Sequence, residues 1–262
     1  MTWNGREFID AADHGRELQS ASSFDCDKLG NSEPFNPTEA GSRRDGAGRK
    51  STSRLLKISA VGKALETRTQ MAFWLPPGEK SGGILAKNTT ELSEHILAKR
   101  VRIGFREQPN VISYDVTFTL PPNEPHTFAQ FEALTGYMPA SFEKFWKFDP
   151  AKGELEGLAD GPGEQPFPVV LATAGGTHAM GIFASADGQA AGCTGPGYGR
   201  FRFVREKVVK WNCVFRKRDT ERGIGAGDYM FRMFVIVGDL AMVRDSLRAL
   251  APVVMPVTKT LR

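Results

Sequence analysis

Glu39, Glu132 and His14 are the residues of this chain whose types and settings best suit proton transfer. Glu39 lies in a polar loop at residues 36–46, and Glu132 lies in a predicted strand. His14 directly follows the carboxylate of Asp13. Cleavage of a glycosidic bond requires two carboxyl groups that flank the bond, and a histidine oriented by a carboxylate suits an epimerase or a lyase. We therefore predict Glu39 and Glu132 as an acid–base pair or as the principal acceptors for ligand hydroxyl groups, with His14 as an auxiliary proton carrier. If the protein is an enzyme, glycoside hydrolysis is predicted first and lyase or epimerase chemistry second.

Several further side chains are of the kinds that bind sugar hydroxyl groups. Amides, carboxylates and guanidiniums form paired hydrogen bonds with hydroxyls, and aromatic rings stack on the C–H faces of a sugar ring. We therefore predict a carbohydrate ligand, and the formal charge of +4 with a pI near 9.0 mildly favours an acidic sugar. The predicted ligand-binding residues are Asp13, Arg16, Asn36, Arg43, Arg44, Gln130, Tyr137, Lys210 and Asn212.

Two pairs of polar residues lie on strands that are otherwise apolar. Gln130 and Glu132 share a face because alternate strand residues point the same way, and so do Lys210 and Asn212. A carboxylate on an interior strand is costly unless it meets a partner or a ligand. Two interpretations stay open: the pairs line a polar groove, or they lie on the solvated face of an outer strand. The competing functions are accordingly a non-catalytic sugar-binding or interaction module and a structural protein.

The surrounding pattern predicts an all-β chain. Residues 110–120 alternate between apolar and polar side chains, with the period of two that marks a strand with one buried face. Residues 55–61 and 65–74 form a predicted hairpin, and 229–238 is apolar on both faces, as in a central strand. About a dozen such strands at short intervals indicate one β-sandwich domain over residues 1–262, of the supersandwich or jelly-roll type.

Irregular and helical segments complete this prediction. Residues 20–53 lack periodicity and are predicted to form a long polar loop. Short helices are predicted at 90–99, around residues 142–146, and at 239–250, where Asp239 would cap the first turn and Pro252 would end the helix.

Composition excludes several classes of protein. The hydrophobic fraction of 40% argues against global disorder. The basic residues form no stripe with interleaved aromatic residues, so we expect no nucleic-acid partner. No apolar run has the length of a membrane span and the start of the chain lacks a secretory signal. We therefore expect a soluble chain, cytoplasmic as given or secreted if a leader was removed.

Cofactor signals are also missing from the sequence. The chain has three cysteines, so at most one pair could be bridged, and their wide separation gives no metal-binding motif. The four histidines have no metal-binding spacing either. There is no phosphate loop, no dinucleotide fingerprint and no nucleophile elbow. We predict no cofactor and no site of the zinc-binding kind. Bound calcium stays open, because calcium needs only oxygen ligands and no local motif. The oligomeric state is not indicated.

Six segments of the chain carry a resemblance to known proteins: residues 13–19, 36–42, 71–75, 134–139, 160–166 and 210–213. Together they resemble a family of uncharacterised bacterial proteins. The resemblance covers most of the chain but implies no activity. In its strand-rich layout the chain also loosely resembles galactose-mutarotase-like and other carbohydrate-active β-sandwich proteins, an analogy of fold that transfers no catalytic residue.

Overall fold

The structure, a computed structural model, describes residues 1–12, 14–15, 17–26 and 32–254. Strands make up most of the regular structure, and a helix follows the last of them. The elements are β1 (Thr2–Trp3), β2 (Arg6–Glu7), β3 (Leu18–Phe24), β4 (Pro37–Thr38), β5 (Arg54–Val61), β6 (Ala64–Phe73), β7 (Lys80–Ser81), β8 (Ile84–Leu85), β9 (Leu92–Phe105), β10 (Gln108–Leu120), β11 (Phe128–Pro139), β12 (Lys144–Asp149), β13 (Glu154–Leu158), β14 (Gly163–Gln165), β15 (Val169–Ala172), β16 (Ala179–Gln189), β17 (Thr194–Phe203), β18 (Val208–Arg218), β19 (Gly227–Gly238) and α1 (Leu240–Val254).

One antiparallel sheet contains most of these strands and folds into two layers. Its order is β13-β12-β15-β16-β19-β10-β9-β6-β4-β3-β11-β18-β17-β14, with β5 paired to β6. We call β3, β11, β18 and β17 the front layer, and β10, β19, β16 and β15 the back layer. The inner faces of the two layers share one hydrophobic core. The all-β, sandwich-like prediction is therefore confirmed.

Aromatic side chains join the two layers across the core. Phe131 and Phe215 of the front layer lie with ring centroids 5.3 and 4.5 Å from that of Phe231 in the back layer. Offset and edge-to-face contacts of this kind add to the burial of the rings themselves. The inner faces of β11 and β18 are therefore occupied by packed apolar side chains, and polar groups such as Glu132 lie on the outer face.

The back layer is apolar on both faces where helix α1 covers its outer side, along β15, the first half of β16 and the second half of β19. Phe234 and Ile236 of β19 pack with Val243 and Leu247 of α1 in a second core cluster. Asp239 caps the helix as predicted, since its Oδ1 accepts the backbone N–H of Met242 at 2.8 Å. Among the described residues, no helix has the length and apolar character that a membrane span requires.

The ends and the types of several elements differ from the sequence prediction. Helix α1 continues through Pro252 to Val254, because a proline in the final turn removes little of the hydrogen-bond ladder. Of the predicted helix at 90–99, residues 92–99 belong instead to strand β9, which pairs with both β6 and β10. The predicted helix around residues 142–146 is a turn followed by β12.

The predicted loop at 20–53 is partly regular. Most of β3 and all of β4 lie within it. β3 gives no apolar alternation because serines occupy its inner face. Those serines are buried but satisfied: Ser20 Oγ donates to the carbonyl of Ala133 at 2.7 Å, and Ser22 Oγ lies 3.5 Å from the carbonyl of Pro37. Buried polar groups with such partners carry little penalty, so a serine-rich strand fits the interior.

Candidate functional site

A β-bulge in β11 shapes the outer face of the front layer. The register against β18 shifts between Glu132 and Leu134, so that Glu132 opposes Val214 while Leu134 opposes Cys213. The extra residue leaves Glu132 and Thr135 on the same outer face, three positions apart. Thr135 Oγ1 accordingly donates to Glu132 Oε2 at 2.8 Å.

Glu132 is the centre of a polar network on this face. Asn212 Nδ2 donates to Glu132 Oε1 at 3.0 Å, and Lys210 Nζ lies 3.3 Å from Glu132 Oε2. The backbone N–H of Gly199 donates to Asn212 Oδ1 at 3.0 Å, which fixes the orientation of the amide. Lys210 Nζ also lies over the ring of Tyr137, 5.2 Å from its centroid. The carboxylate is thus held by a cation and by two neutral donors.

The charge state of this network follows from its contacts. Burial by itself would raise the pKa of the Glu132 carboxyl, but the charge of Lys210 and the hydrogen bonds from Thr135 and Asn212 outweigh burial and lower that pKa. Burial would likewise lower the pKa of Lys210, and the charge of Glu132 reverses this effect and raises it. Glu132 is therefore ionised and Lys210 protonated at neutral pH.

A second carboxyl group, that of Glu33, reaches the same pocket from the segment before β4. Ser23 Oγ donates to Glu33 Oε1 at 3.2 Å, and the backbone N–H of Glu33 donates to Ser81 Oγ at 3.1 Å. Burial raises the pKa of Glu33, and the neighbouring charge of Glu132 raises it further. Two carboxyl groups whose surroundings shift their pKa values in opposite directions are typical of an acid–base pair.

Amide, hydroxyl and aromatic groups complete the wall of the pocket. Asn36 Nδ2 donates to Ser23 Oγ at 2.9 Å, and Thr38 Oγ1 donates to Gln19 Oε1 at 2.7 Å. The pocket encloses about 110 Å³ and opens to solvent. Its lining residues are Gly15, Gln19, Ala21, Glu33, Asn36, Thr38, Trp74, Glu132, Tyr137 and Lys210.

Gln130 shares the outer face with Glu132 but serves a neighbouring ion pair. Arg216 Nε donates to Gln130 Oε1 at 2.8 Å, while the two terminal nitrogens of Arg216 contact the Glu164 carboxylate at 2.7 and 2.8 Å. A bidentate contact of this kind is a strong and well-oriented interaction. Gln130 and Asn212 therefore support the polar face and do not line the pocket.

Glu39 does not line the pocket, so the structure does not bring the predicted catalytic pair together. The short strand β4 directs Thr38 toward the pocket, and the next residue points elsewhere. The Glu39 carboxylate forms an ion pair with Lys99 of β9, and it accepts the backbone N–H of Ser20 at 2.7 Å. Glu39 and Lys99 therefore form an ion pair whose role is structural.

The other predicted residues of the loops also lie away from the pocket. Arg43 and Arg44 both form ion pairs with Glu79. The backbone N–H of His14 donates to the carbonyl of Gly46 at 2.9 Å, and Gly15 lines the pocket whereas His14 does not. The predicted ligand-binding residues Asp13 and Arg16 lie outside the described residues. Asn36, Tyr137, Glu132 and Lys210 are thus the predicted site residues that line the pocket.

Glu33, Gln19 and Thr38 are pocket residues that sequence reasoning missed. Trp74 also lines the pocket, and it is one of the aromatic residues that the sequence offers for stacking on a sugar ring. Glu33 precedes a proline in a segment without periodicity. The one available signal was the concentration of Glu, Asn and Thr around two prolines at residues 33–38, which stiffens a polar segment.

The structure gives no indication of a metal site in the part of the chain that it describes. No group of three or more His, Cys, Asp or Glu side chains there could hold a metal ion. Cys26, Cys193 and Cys213 are not joined in a disulfide.

Comparison with known proteins finds distant structural similarity at low sequence identity. No protein-family model matches the chain, and no curated protein matches its sequence. Among solved structures, a 4-alpha-glucanotransferase from Thermococcus litoralis superposes with a TM-score of 0.42 and 10% identity, covering 90% of this chain and 28% of that one. An alpha-galactosidase from Lactobacillus brevis gives 0.38 and 11%, covering 72% and 26%.

A putative aldose 1-epimerase from Klebsiella pneumoniae is similar in the same limited sense. It gives a TM-score of 0.38 and 10% identity, covering 89% of this chain and 62% of that one. The chain thus spans between about a quarter and three fifths of the length of these three proteins. TM-scores this low transfer neither substrate nor reaction, and any functional assignment depends on the pocket.

Proposed function

We propose that this protein is carbohydrate-active: it binds a sugar unit in the polar pocket and cleaves its glycosidic bond, with Glu33 as general acid and Glu132 as the opposing carboxylate. The observation that supports this proposal is the presence of two carboxyl groups with oppositely shifted pKa values in one pocket. In hydrolysis, Glu33 donates a proton to the leaving oxygen as the bond to the sugar carbon breaks. Water supplies the hydroxyl group to that carbon, and its released proton restores the acid.

The pocket has the chemistry to bind a sugar ring and the room to hold part of one. A space of about 110 Å³ is somewhat smaller than the cavity of about 150 Å³ that holds a benzene molecule. One ring would therefore enter only in part, and the remainder would lie in the open mouth. Glu33 and Asn36 offer hydrogen bonds to hydroxyl groups, while Trp74 and Tyr137 offer aromatic surface to C–H groups. The pocket thus favours the terminal unit of a glycan.

A non-catalytic sugar-binding module is the second candidate, and one observation favours it. Glu132 already accepts hydrogen bonds from Thr135, Asn212 and Lys210, which lowers its basicity. A carboxylate committed in this way serves well as a fixed hydrogen-bond acceptor for a ligand. In such a module Glu33 would bind hydroxyl groups and transfer no proton.

Binding and turnover, measured separately, test the proposal. A glycan array and a panel of chromogenic glycosides and polysaccharides, including acidic ones, are applied to the wild type and to Glu33→Gln. We expect the variant to retain binding and to lose about 100-fold or more in turnover, the contribution of a general acid. Glu164→Gln is the matched control, because Glu164 pairs with Arg216 outside the pocket and should leave turnover unchanged.

The outcomes separate the two candidates. Binding by the wild type without turnover of any substrate would favour the module over the enzyme. Turnover that Glu33→Gln leaves intact would remove Glu33 from the role of acid. If the wild type neither binds nor turns over any member of the panel, that result would contradict a carbohydrate function altogether.

A further inference from the structure

Ser23 of β3 is a buried residue that borders the pocket without lining it. Its side chain lies on the same face of β3 as Gln19 and Ala21, which do line the pocket, because alternate strand residues share a face. Ser23 itself is only 3% exposed and is not among the lining residues. A ligand in the pocket would therefore not contact Ser23, and any effect of this residue on the chemistry must pass through a neighbour.

The hydroxyl group of Ser23 links two residues of the pocket wall. Asn36 Nδ2 donates to Ser23 Oγ at 2.9 Å, and Ser23 Oγ donates to Glu33 Oε1 at 3.2 Å. An amide nitrogen only donates hydrogen bonds, and a hydroxyl group has a single proton to donate. The order of donors is therefore fixed, from Asn36 to Ser23 and from Ser23 to Glu33, and Glu33 Oε1 is the acceptor at the end of this chain of hydrogen bonds.

The direction of these hydrogen bonds decides which oxygen of Glu33 carries a proton. A protonated carboxyl group has one O–H donor, and its other oxygen is a carbonyl acceptor. Oε1 already accepts the proton of Ser23. A proton placed on Oε1 would compete with that of Ser23 and would deprive a buried hydroxyl group of its acceptor, which is costly. The acidic proton of Glu33 therefore belongs on Oε2.

The backbone beside Glu33 is held independently of Ser23. The carbonyl groups of residues 34–36 accept three backbone hydrogen bonds, each 2.9 Å long, from three other parts of the chain. The backbone N–H of Glu33 donates to Ser81 Oγ at 3.1 Å. Loss of the Ser23 hydroxyl group would therefore leave the main chain in place and would release the Glu33 carboxyl group to rotate.

The same hydrogen bond affects the acidity of Glu33. Burial raises the pKa of the Glu33 carboxyl and the charge of Glu132 adds to this effect, whereas the hydrogen bond from Ser23 acts against both and lowers the pKa. A hydrogen bond to a carboxylate lowers the pKa because it favours the ionised form. Removal of the Ser23 hydroxyl group should therefore raise the pKa of Glu33 further.

We propose that Ser23 is a positioning residue for Glu33: its hydroxyl group keeps Oε1 as an acceptor and so leaves the proton for the leaving group on Oε2. This inference rests on the proposed role of Glu33 as general acid. Asn36 supports the arrangement, because its amide orients the hydroxyl group of Ser23. The position of a proton donor matters for the rate, since a displacement of about 1 Å in a catalytic site can cost about 100-fold.

Ser23→Ala tests the proposal, with Ser22→Ala as the matched control. Ser22 is an equally buried serine at the next position of β3, and its hydroxyl group lies on the inner face, 3.5 Å from the carbonyl of Pro37. On a substrate found in the glycoside panel, kcat of Ser23→Ala should fall about tenfold. The alkaline limb of its pH profile should move to higher pH, and KM should change little. Ser22→Ala should change none of these, and a general loss of stability would not move the alkaline limb.

A titration of Glu33 by NMR makes the test independent of turnover. In protein labelled with ¹³C at the glutamate carboxyl groups, the signal of Glu33 is identified by its absence from Glu33→Gln. Its titration midpoint should rise in Ser23→Ala and stay unchanged in Ser22→Ala. A wild type that turns over no substrate would contradict the proposed hydrolysis, and the titration would still show whether Ser23 acts on Glu33. An identical midpoint in Ser23→Ala and the wild type would overturn the role of Ser23.

Discussion

Lys210 Nζ on β18 lies 3.3 Å from Glu132 Oε2 on β11, and both side chains are largely withdrawn from solvent, at 12% and 16% exposure. Removing two charges from water is costly, and their attraction offsets this cost only when other groups satisfy them as well. Thr135 and Asn212 provide the additional hydrogen bonds to Glu132. The ion pair is thus part of a network that would be badly disrupted by the loss of one member.

Lys210→Met should lower the free energy of unfolding by about 3 kcal/mol or more, because it leaves a buried carboxylate without its cation. Urea denaturation measures this loss. The matched control is Lys147→Met, since Lys147 forms an ion pair with Glu156 at 2.9 Å in a more exposed setting, and such pairs contribute about 1 kcal/mol or less. Equal effects of the two substitutions would show that the Lys210 pair is not specially dependent on its network.

Gly199→Ala should disrupt the hydrogen bonds of the polar face, although the new side chain would not contact the ligand. A Cβ atom at Gly199 would overlap Oδ1 of Asn212, and that amide would have to move away from Glu132. We expect a loss of about 1–3 kcal/mol in stability, as in other overpacked sites, together with weaker sugar binding. Gly157→Ala is the control, because a Cβ at Gly157 of β13 meets no atom within 4 Å. Thermal denaturation and binding assays check both variants.

Periodicity predicted those parts of the site that lie within long strands. Glu132 and Lys210 could be assigned to one polar face because strand residues alternate and because a polar residue on an apolar strand is conspicuous. The bulge at residues 133–134 could not be anticipated, yet it is what places Thr135 beside Glu132.

The positions of side chains that are held by contacts distant in the sequence could not be predicted from the sequence. Glu33 is positioned by Ser23 and Ser81, which lie in two other parts of the chain. The direction of Glu39 depends on a strand of two residues, too short to show a period. Likewise, pairing on both sides overrides a local helix signal at 90–99 and keeps β9 extended.

His95 should make the protein less stable in acid. Burial lowers the pKa of His95 from 6.5 to about 4, although Glu124 partly opposes the shift. Below pH 6.5 the unfolded chain binds a proton at His95, whereas the folded protein binds that proton only near pH 4. Stability therefore falls as the pH drops through this window, by up to about 3 kcal/mol.

His95→Phe removes that proton uptake and keeps a ring beside Phe24, whose centroid lies 5.2 Å from that of His95. The variant should show a flatter loss of stability between pH 6.5 and about 4. Chemical denaturation at a series of pH values measures the slope, with His178→Asn as the control at a partly exposed histidine. An unchanged acid slope in His95→Phe would show that His95 is not the group responsible.

His126 acts in the opposite sense, since Glu124 and Asp25 outweigh burial and raise its pKa. The stability that protonated His126 contributes is complete below pH 6.5 and is lost as the pH rises through the higher pKa of the folded protein.

Glu39→Gln should separate structure from function at the residue that the sequence placed in the catalytic pair. The substitution leaves Lys99, which is mostly buried, without its counter-charge, so we expect about 3 kcal/mol of lost stability. Sugar binding and turnover should stay within a factor of about two, because the Glu39 carboxylate does not reach the pocket. Asn36→Ala should show the reverse pattern, with binding weakened about tenfold and a smaller effect on stability. Calorimetric unfolding and ligand titration on the same preparations distinguish the two patterns. If the Glu39→Gln variant is fully stable but inactive, that result would support the catalytic role that the sequence predicted for Glu39.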